Sequence, residues 1–131
     1  MSKFVKRIKK LNKAARNVLI VGQGWGNLQD VIDSYSSIFL IDDENRLVRA
    51  KNVVYRENFD NLNQLQDVDL VLLDLDHENH INDFIILLQR WSSILLIEGP
   101  ELISKENQKL LKSNRYEIVE VQKRYYVWKC K

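Results

Sequence analysis

The most informative feature of this sequence is a short apolar run that ends in closely spaced glycines. Residues 18–26 read VLIVGQGWG, which is typical of a buried strand followed by a sharp turn where a ligand contacts bare backbone. A second apolar run, residues 38–41, ends in the acids Asp42 and Asp43. Asp42 follows Gly22 by 20 residues, the spacing at which a nucleotide-binding βαβ unit places a carboxylate for ribose hydroxyls. These features predict a nucleoside-type cofactor.

The spacing of the glycines separates two classes of cofactor. The NAD fingerprint GxGxxG requires a third glycine at position 27, where this chain has Asn27. The pattern here is GxGxG, which resembles the first motif of the class I methyltransferases that use S-adenosylmethionine (SAM). The resemblance implies SAM as the cofactor and continues along nearly the whole chain. An NAD-binding, oxidoreductase-like domain remains the alternative.

Strand and helix patterns alternate along the chain. Apolar runs predict strands at residues 18–21, 38–41, 53–55, 68–73 and 94–97. Helices are predicted from Leu28 to Tyr35, from Glu44 to Ala50, from Ile81 to Leu88, and from Pro100 to about Ser113. Two β-rich runs, 116–122 and 125–130, predict a C-terminal hairpin. Class I methyltransferases are similar here, because their sheet ends with an antiparallel seventh strand. We therefore expect an α/β, three-layer, Rossmann-like methyltransferase fold with a mostly parallel seven-stranded sheet in residues 17–131.

The N-terminal segment, residues 1–16, differs from the remainder in charge. It carries seven basic residues and no acid, whereas the formal net charge of the whole chain is only +2. Phe4, Ile8, Leu11 and Ala15 fall at helical spacing, so the segment is predicted to be a basic amphipathic helix. Two interpretations remain: a helix that covers the sheet, which we favour, or an arm that contacts nucleic acid or an anionic surface.

The resemblance implies roles for particular residues. The methionine part of SAM would lie at Gly22, Gly24 and Gly26, and the ribose at Asp42, with Asp43 as the neighbouring candidate. Adenine would lie at Asn58 and Phe59, although the family usually has Asp at the first of these positions. Asp74, at the end of the fourth strand, would face the reacting centre, and Asp76 and His77 stand at the same strand end, where a catalytic base would be needed for a protonated acceptor. Alternatively, Asp76 and Glu78 cap and charge the N-terminus of the next helix.

Departures from the family pattern leave further alternatives open. Many members have an acid where this chain has Ile20, and the DPPY signature of amino-methyltransferases is absent after the fourth strand. A non-catalytic member of the fold is therefore a second hypothesis. An apolar residue at position 20 also occurs in the related aminopropyltransferases, but Trp25 stands where their motif has Asp. The methyl acceptor is not identified by the sequence.

Histidine and aromatic residues give weaker signals. His77 and His80 share one helical face, but without an identified third ligand we predict no metal site; acids at Asp74 and Glu98 would be required by metal-dependent relatives. Trp25 is expected either to cover the cofactor or to pack beneath the N-terminal segment. The aromatic patterns around Trp91 and Trp128 predict core or a homo-oligomer interface.

Length and composition limit the class of protein. A chain of 131 residues, 45% of them hydrophobic, supports one core and one domain. The lone Cys130 excludes an internal disulfide, and no apolar run approaches the roughly 20 residues that a membrane span requires. The first residues lack the apolar segment of a secretory signal, so we expect a cytoplasmic protein.

Overall fold

The computed structural model of the chain describes residues 2–44, 46–60, 65, 67–91 and 93–131. The strands are, in chain order, Asn17–Val21 (β1), Ser37–Ile41 (β2), Val53–Arg56 (β3), Leu70–Asp74 (β4), Ile94–Glu98 (β5), Tyr116–Val121 (β6) and Tyr125–Cys130 (β7). The α-helices are Lys3–Leu11 (α1), Leu28–Ser34 (α2), Ile81–Trp91 (α3) and Lys105–Ser113 (α4). A 3-10 helix, Leu75–His80, joins β4 to α3.

The strands form a single seven-stranded sheet with the order β3-β2-β1-β4-β5-β7-β6. Strands β1 to β5 pair in parallel, and β7 lies antiparallel between β5 and β6. The strand order reverses beside β1, because β2 and β4 flank it on opposite sides. In an open α/β sheet this reversal opens a crevice outside the carboxyl ends of the strands, where ligands bind. The predicted fold, including the inserted antiparallel strand, is confirmed.

Both faces of the central strands are buried, which explains why their sequences are continuously apolar. Alternate residues of β1 point to opposite faces: Leu19 and Val21 pack with α3 and α4, whereas Val18 and Ile20 pack with α1 and α2. All four side chains are at most 1% exposed. The sheet is therefore the middle of three layers, with two separate cores.

The N-terminal segment forms a covering helix, as favoured, but a shorter one than predicted. Val5 and Ile8 of α1 are fully buried against the sheet face that also holds α2. The helix ends at Leu11 because Asn12 turns the chain, its side-chain oxygen accepting a hydrogen bond from the backbone of Ala14 at 3.2 Å. Asp69 then fixes the exit of the segment by accepting from the backbone N–H of Arg16 at 2.8 Å.

Two helix predictions are wrong. Residues 46–50 are not helical, and Asn45 lies outside the described residues; the Arg46 side chain instead turns back to Asp42. The helix predicted from Pro100 begins at Lys105, with Ser104 as its N-cap. Glu78 fixes that start by accepting from the backbone N–H of Ser104 at 3.0 Å, a contact between residues 26 positions apart. Within the described part of the chain, no helix is both long and apolar enough to cross a membrane.

We predict that α1 contributes to stability through its apolar side. Ile8→Ala removes a fully buried side chain, so the free energy of unfolding should fall by about 2–5 kcal/mol. Lys10→Ala, on the exposed side of the same helix, should change it by no more than about 0.5 kcal/mol. Urea unfolding of both variants checks this, and equal effects would mean that α1 does not cover the core.

Candidate functional site

The candidate site lies at the carboxyl edge of the sheet, where four parallel strands end in polar or glycine residues. β1 continues into Gly22, β2 into Asp42, β4 ends at Asp74 and β5 ends at Glu98. Asp74 and Glu98 are register partners in the paired strands β4 and β5. The backbone N–H of Gly22 donates to the carbonyl of Ile41 at 2.8 Å, which holds the glycine loop beside the end of β2.

Asp74 connects the glycine loop to the end of β4. Its Oδ2 accepts a hydrogen bond from the backbone N–H of Gly24 at 2.8 Å. Its Oδ1 accepts from the backbone N–H of His77 at 3.0 Å and contacts the His77 ring at Nδ1. Asp74 is therefore the N-cap of the 3-10 helix as well as a partner of the loop. With 5% exposure, it is buried while it makes these contacts.

The glycines differ in what surrounds them. Gly22 has a positive φ of +85°, and a Cβ there would overlap the Asp74 carboxylate and the ring of His77. A Cβ on Gly24 would lie 2.9 Å from Asp74 Oδ2, whereas a Cβ on Gly26 would meet nothing within 4 Å. The chain's own packing therefore requires glycine at positions 22 and 24. At position 26 the protein leaves the space open.

Trp25, between these glycines, packs beneath α1, the second of the two predicted arrangements. Its ring stacks on Phe4 with centroids 5.0 Å apart, and only 4% of the residue is exposed. The glycine loop is thereby anchored on one side by Asp74 and on the other by the N-terminal helix.

Asp42 is fully buried at the end of β2 and holds three hydrogen-bond donors. Its Oδ2 accepts from the Gln23 amide at 2.7 Å and from Arg46 Nε at 2.9 Å, and its Oδ1 accepts from the backbone N–H of Glu44 at 3.0 Å. Tyr55 of β3 donates its hydroxyl to the Asp42 carbonyl at 3.1 Å. Gln23 and Arg46 were not identified from the sequence; the only signal was the four-residue spacing between Asp42 and Arg46.

A carboxylate–imidazole network lies beside Asp42. Asp43 accepts from His77 Nε2 and from His80 Nε2, each at 3.1 Å, through different carboxylate oxygens. Burial opposes the charge of His77, but the hydrogen bond and negative charge of Asp74, together with those of Asp43, raise its pKa above the usual value. Partial burial would raise the pKa of Asp43, yet the hydrogen bonds from His80 and His77 lower it. Each partner thus stabilises the charged form of the other.

The described residues contain one group whose geometry suits a metal ion, and it differs from the pair considered from the sequence. Ligand atoms of Asp42, Asp43 and His77 lie within 4.8 Å of one another. A mixed set of carboxylate oxygens and one imidazole is a donor set that divalent transition metals accept. To coordinate a metal ion, Asp42 would have to release hydrogen bonds that it already makes. In the absence of a metal, hydrogen bonds and ion pairs within the chain already satisfy these side chains.

Three predicted site residues lie outside this network. Asp76 is exposed on the 3-10 helix, and Asp74, rather than Asp76, provides the cap. Asn58 is exposed and accepts from the backbone N–H of Asp60 at 3.0 Å. Phe59 packs between the rings of His80 and Phe84, with centroid distances of 4.9 Å and 5.9 Å. The structure therefore brings together Gly22, Gly24, Asp42, Asp43, Asp74 and His77. It leaves Asp76 and Asn58 at the surface, and Gly26 contacts Glu98 instead.

Comparison with solved structures defines the class of fold. Magnesium protoporphyrin IX methyltransferase from Synechocystis, solved with bound SAM, is similar with a TM-score of 0.59 and 14% identity, over 97% of this chain and 76% of that one. Precorrin-6y C5,15-methyltransferase from Geobacter metallireducens gives 0.58 and 16%, over 98% and 87% of the two chains. A SAM-dependent methyltransferase from Clostridium acetobutylicum gives 0.61 and 14%, over 97% and 89%. No family model and no curated protein sequence matches the chain. The chain has the class I SAM-dependent methyltransferase fold.

We predict that the first and last glycines of the loop differ in whether they tolerate substitution by alanine. Gly22→Ala should destabilise the fold by about 1–3 kcal/mol or more, because alanine is strained at positive φ and its Cβ overlaps Asp74 and His77. Gly26→Ala should leave the free energy of unfolding within about 0.5 kcal/mol of the parent, since its Cβ meets open space. Chemical unfolding of the two variants tests the loop geometry, and a stable Gly22→Ala variant would contradict it.

The raised pKa of His77 predicts a pH-dependent contribution to stability. The folded pKa lies above the unfolded value of about 6.5, so protonated His77 stabilises the folded state below that pH. This contribution is lost as pH rises through the folded pKa. The difference in unfolding free energy between the parent and His77→Gln should therefore shrink as the pH rises from about 6 through the folded pKa of His77. A difference that stays constant over this range would exclude a charged network.

Proposed function

We propose that this protein binds SAM at the carboxyl edge of the sheet and transfers its methyl group to a small-molecule acceptor. The observation that carries this proposal is the buried carboxylate of Asp42 beside the glycine loop, in a chain with the class I methyltransferase fold. Several proteins with this fold are described as SAM-dependent methyltransferases, and one of those compared was solved with SAM bound.

The residues present fit the cofactor in charge. SAM carries an amino group and a sulfonium, and the edge presents three carboxylates, Asp42, Asp43 and Asp74, against the two cationic partners Arg46 and His77. A carboxylate offers about four lone-pair sites, and Asp42 uses three of them within the chain. Because the Asp42 side chain is fully buried, a ribose hydroxyl reaches its remaining lone pair only after Gln23 or Arg46 moves. A cavity of about 410 Å³ is lined by Leu47, Tyr55 and Asn58 among others. Tyr55 also contacts the Asp42 carbonyl, and this supports the cavity as a place for the adenine.

The chemistry asked of the protein is mainly orientation. SAM supplies an activated methyl group, so holding an acceptor in line with it accounts for most of the acceleration, of the order of 7–11 kcal/mol in well-oriented systems. Asp74, between the glycine loop and β4, would hold the cofactor's ammonium. When bound, SAM would supply the methyl group for transfer to an acceptor held in line with it, and a base at this edge would take any proton that the acceptor carries.

A second candidate function, a non-catalytic binding module of the same fold, is favoured by one observation. Asp74 occupies the loop N–H of Gly24, and His77 lies over Gly22. These are positions that the resemblance gives to the methionine part of SAM. If this network does not open, the edge cannot receive the cofactor, and the fold would then serve recognition only.

Calorimetric titration distinguishes these functions. SAM and its demethylated product should both bind if the chain is a methyltransferase. Stronger binding of decarboxylated SAM would indicate aminopropyl transfer, and binding of NADH alone would indicate an oxidoreductase-like domain. Absence of binding by all four ligands to the folded protein would leave the non-catalytic module as the function.

We predict that Asp42→Asn weakens SAM binding about 10- to 150-fold, because a charge-assisted hydrogen bond contributes about 1.5–3 kcal/mol. Asparagine preserves the size of the side chain and one of the two oxygens that accept from the internal partners. Asp33→Asn is the control, since Asp33 lies exposed on α2 and accepts only from Gln29 among the described side chains. Titration of both variants after a melting check tests the assignment, and unchanged affinity in folded Asp42→Asn would remove it.

A further inference from the structure

A second cavity lies at the same edge of the sheet, on the side of the glycine loop away from Asp42. Its volume is about 810 Å³, within the range of small-molecule sites. Its walls come from α1, the glycine loop, the end of β5 and the turn between β6 and β7. The cavity thus borders the same loop as the proposed cofactor site.

The floor of this cavity is aromatic. Phe4 stacks on Trp25 with centroids 5.0 Å apart and meets Tyr125 edge-on at 5.3 Å, and the rings of Trp25 and Tyr125 are 6.1 Å apart. Phe4 and Tyr125 are only half-buried, so the exposed parts of their rings present a surface on which a planar molecule stacks, whereas Trp25 is buried beneath Phe4. The indole Nε1 of Trp25 has no hydrogen-bond partner among the described residues, and unpaired buried donors of this kind are rare in folded proteins.

The rim of the cavity is basic. Lys3, Arg7, Lys123 and Arg124 line it. Arg7 is paired with Glu120, whereas none of the ion pairs found among the described residues involves the other three. Three cations around an aromatic floor favour a ligand that combines a planar ring with a negative charge.

Glu98 is the one acid that lines the cavity. Burial raises its pKa, although a backbone hydrogen bond from Gly26 and the charge of Arg124 act in the opposite direction. Its Oε2 is buried and has no hydrogen-bond partner among the described residues. Since Glu98 and Asp74 are register partners, a group bonded to Glu98 would lie next to the proposed methyl donor.

We propose that this cavity binds a small planar molecule carrying a carboxylate or phosphate group, and that this molecule is the methyl acceptor. The anionic group pairs with Lys123 and Arg124, the ring stacks on the aromatic floor, and a polar atom of the ligand approaches Glu98. The assignment as acceptor rests on the proposed function, whereas binding of the planar anion does not. Nucleic acid is a different partner, and it would also engage the exposed Lys6 and Lys10 of α1 and Lys13 in the turn that follows it.

The test is calorimetry without SAM, using 2-naphthoate, 1-naphthyl phosphate and the uncharged 2-naphthalenemethanol. One or both anions should bind more tightly than the alcohol, and the tighter of the two identifies the anionic group. Lys123→Glu/Arg124→Glu should weaken anion binding at least about tenfold, the loss expected for a charge-assisted contact. Lys105→Glu/Lys109→Glu, with the same change in net charge on α4 at the opposite sheet face, should leave it within about twofold.

A substitution that is expected to tighten binding distinguishes an effect on ligand recognition from damage to the fold. Glu98→Gln removes the negative charge from the cavity and should tighten binding of the anions, which a damaged fold would not do. Equal binding of the alcohol and the anions, no binding of either anion, or equal loss in both double variants would overturn the proposal.

Tight, salt-sensitive binding of a 12-nucleotide single-stranded RNA that is lost in Lys6→Ala/Lys10→Ala/Lys13→Ala would assign the basic surface to nucleic acid instead. If the protein binds the anions but not SAM, the proposal of an anion-binding cavity stands and the proposed methyltransferase function is wrong.

Discussion

The carboxylate of Asp74 links the elements from which the candidate site is built. It accepts hydrogen bonds from the backbone of Gly24 and of His77, so one side chain fixes the loop after β1 and begins the 3-10 helix after β4. The position of that helix in turn aims His77 and His80 at Asp43 after β2. Because these loops come from three adjacent strands of the sheet, Asp74 determines how they meet above Gly22. A carboxylate that satisfies buried backbone donors is costly to remove, since the donors then lose their partner.

The sequence predicted the central sheet well because buried parallel strands are continuously apolar and bounded by polar or glycine residues. Strands β1, β2 and β5 begin or end within one residue of their predicted bounds. Errors occurred where long-range contacts decide the local structure. Arg46 leaves the helical pattern of residues 44–50 to neutralise the buried Asp42, and the start of α4 depends on Glu78, which lies in another loop.

In the candidate site, too, local sequence predicts some features and long-range contacts decide the others. Glycine spacing and the acid after the second strand placed Gly22, Gly24 and Asp42 at one edge, because parallel strands bring their carboxyl ends together. The partners of these residues were not predictable in the same way. Gln23 is a neighbour of the glycines in sequence, yet its contact with Asp42 depends on how the loop turns. The aromatic floor joins Phe4 to Tyr125, and no local pattern relates the two ends of a chain.

Charge is divided along this edge of the sheet. Asp42, Asp43 and Asp74 lie on one side of the glycine loop, and Lys3, Lys123 and Arg124 lie on the other, around the aromatic cavity. Under the proposed function, the acidic side would hold the cationic cofactor and the basic cavity would hold an anionic acceptor. Trp25 and Glu98 line the cavity where it borders the glycine loop, so under the proposed function a cationic donor and an anionic acceptor would come into contact there. Opposite charge on the two ligands would favour binding of both together, so the same arrangement that selects each ligand also brings the reacting groups together.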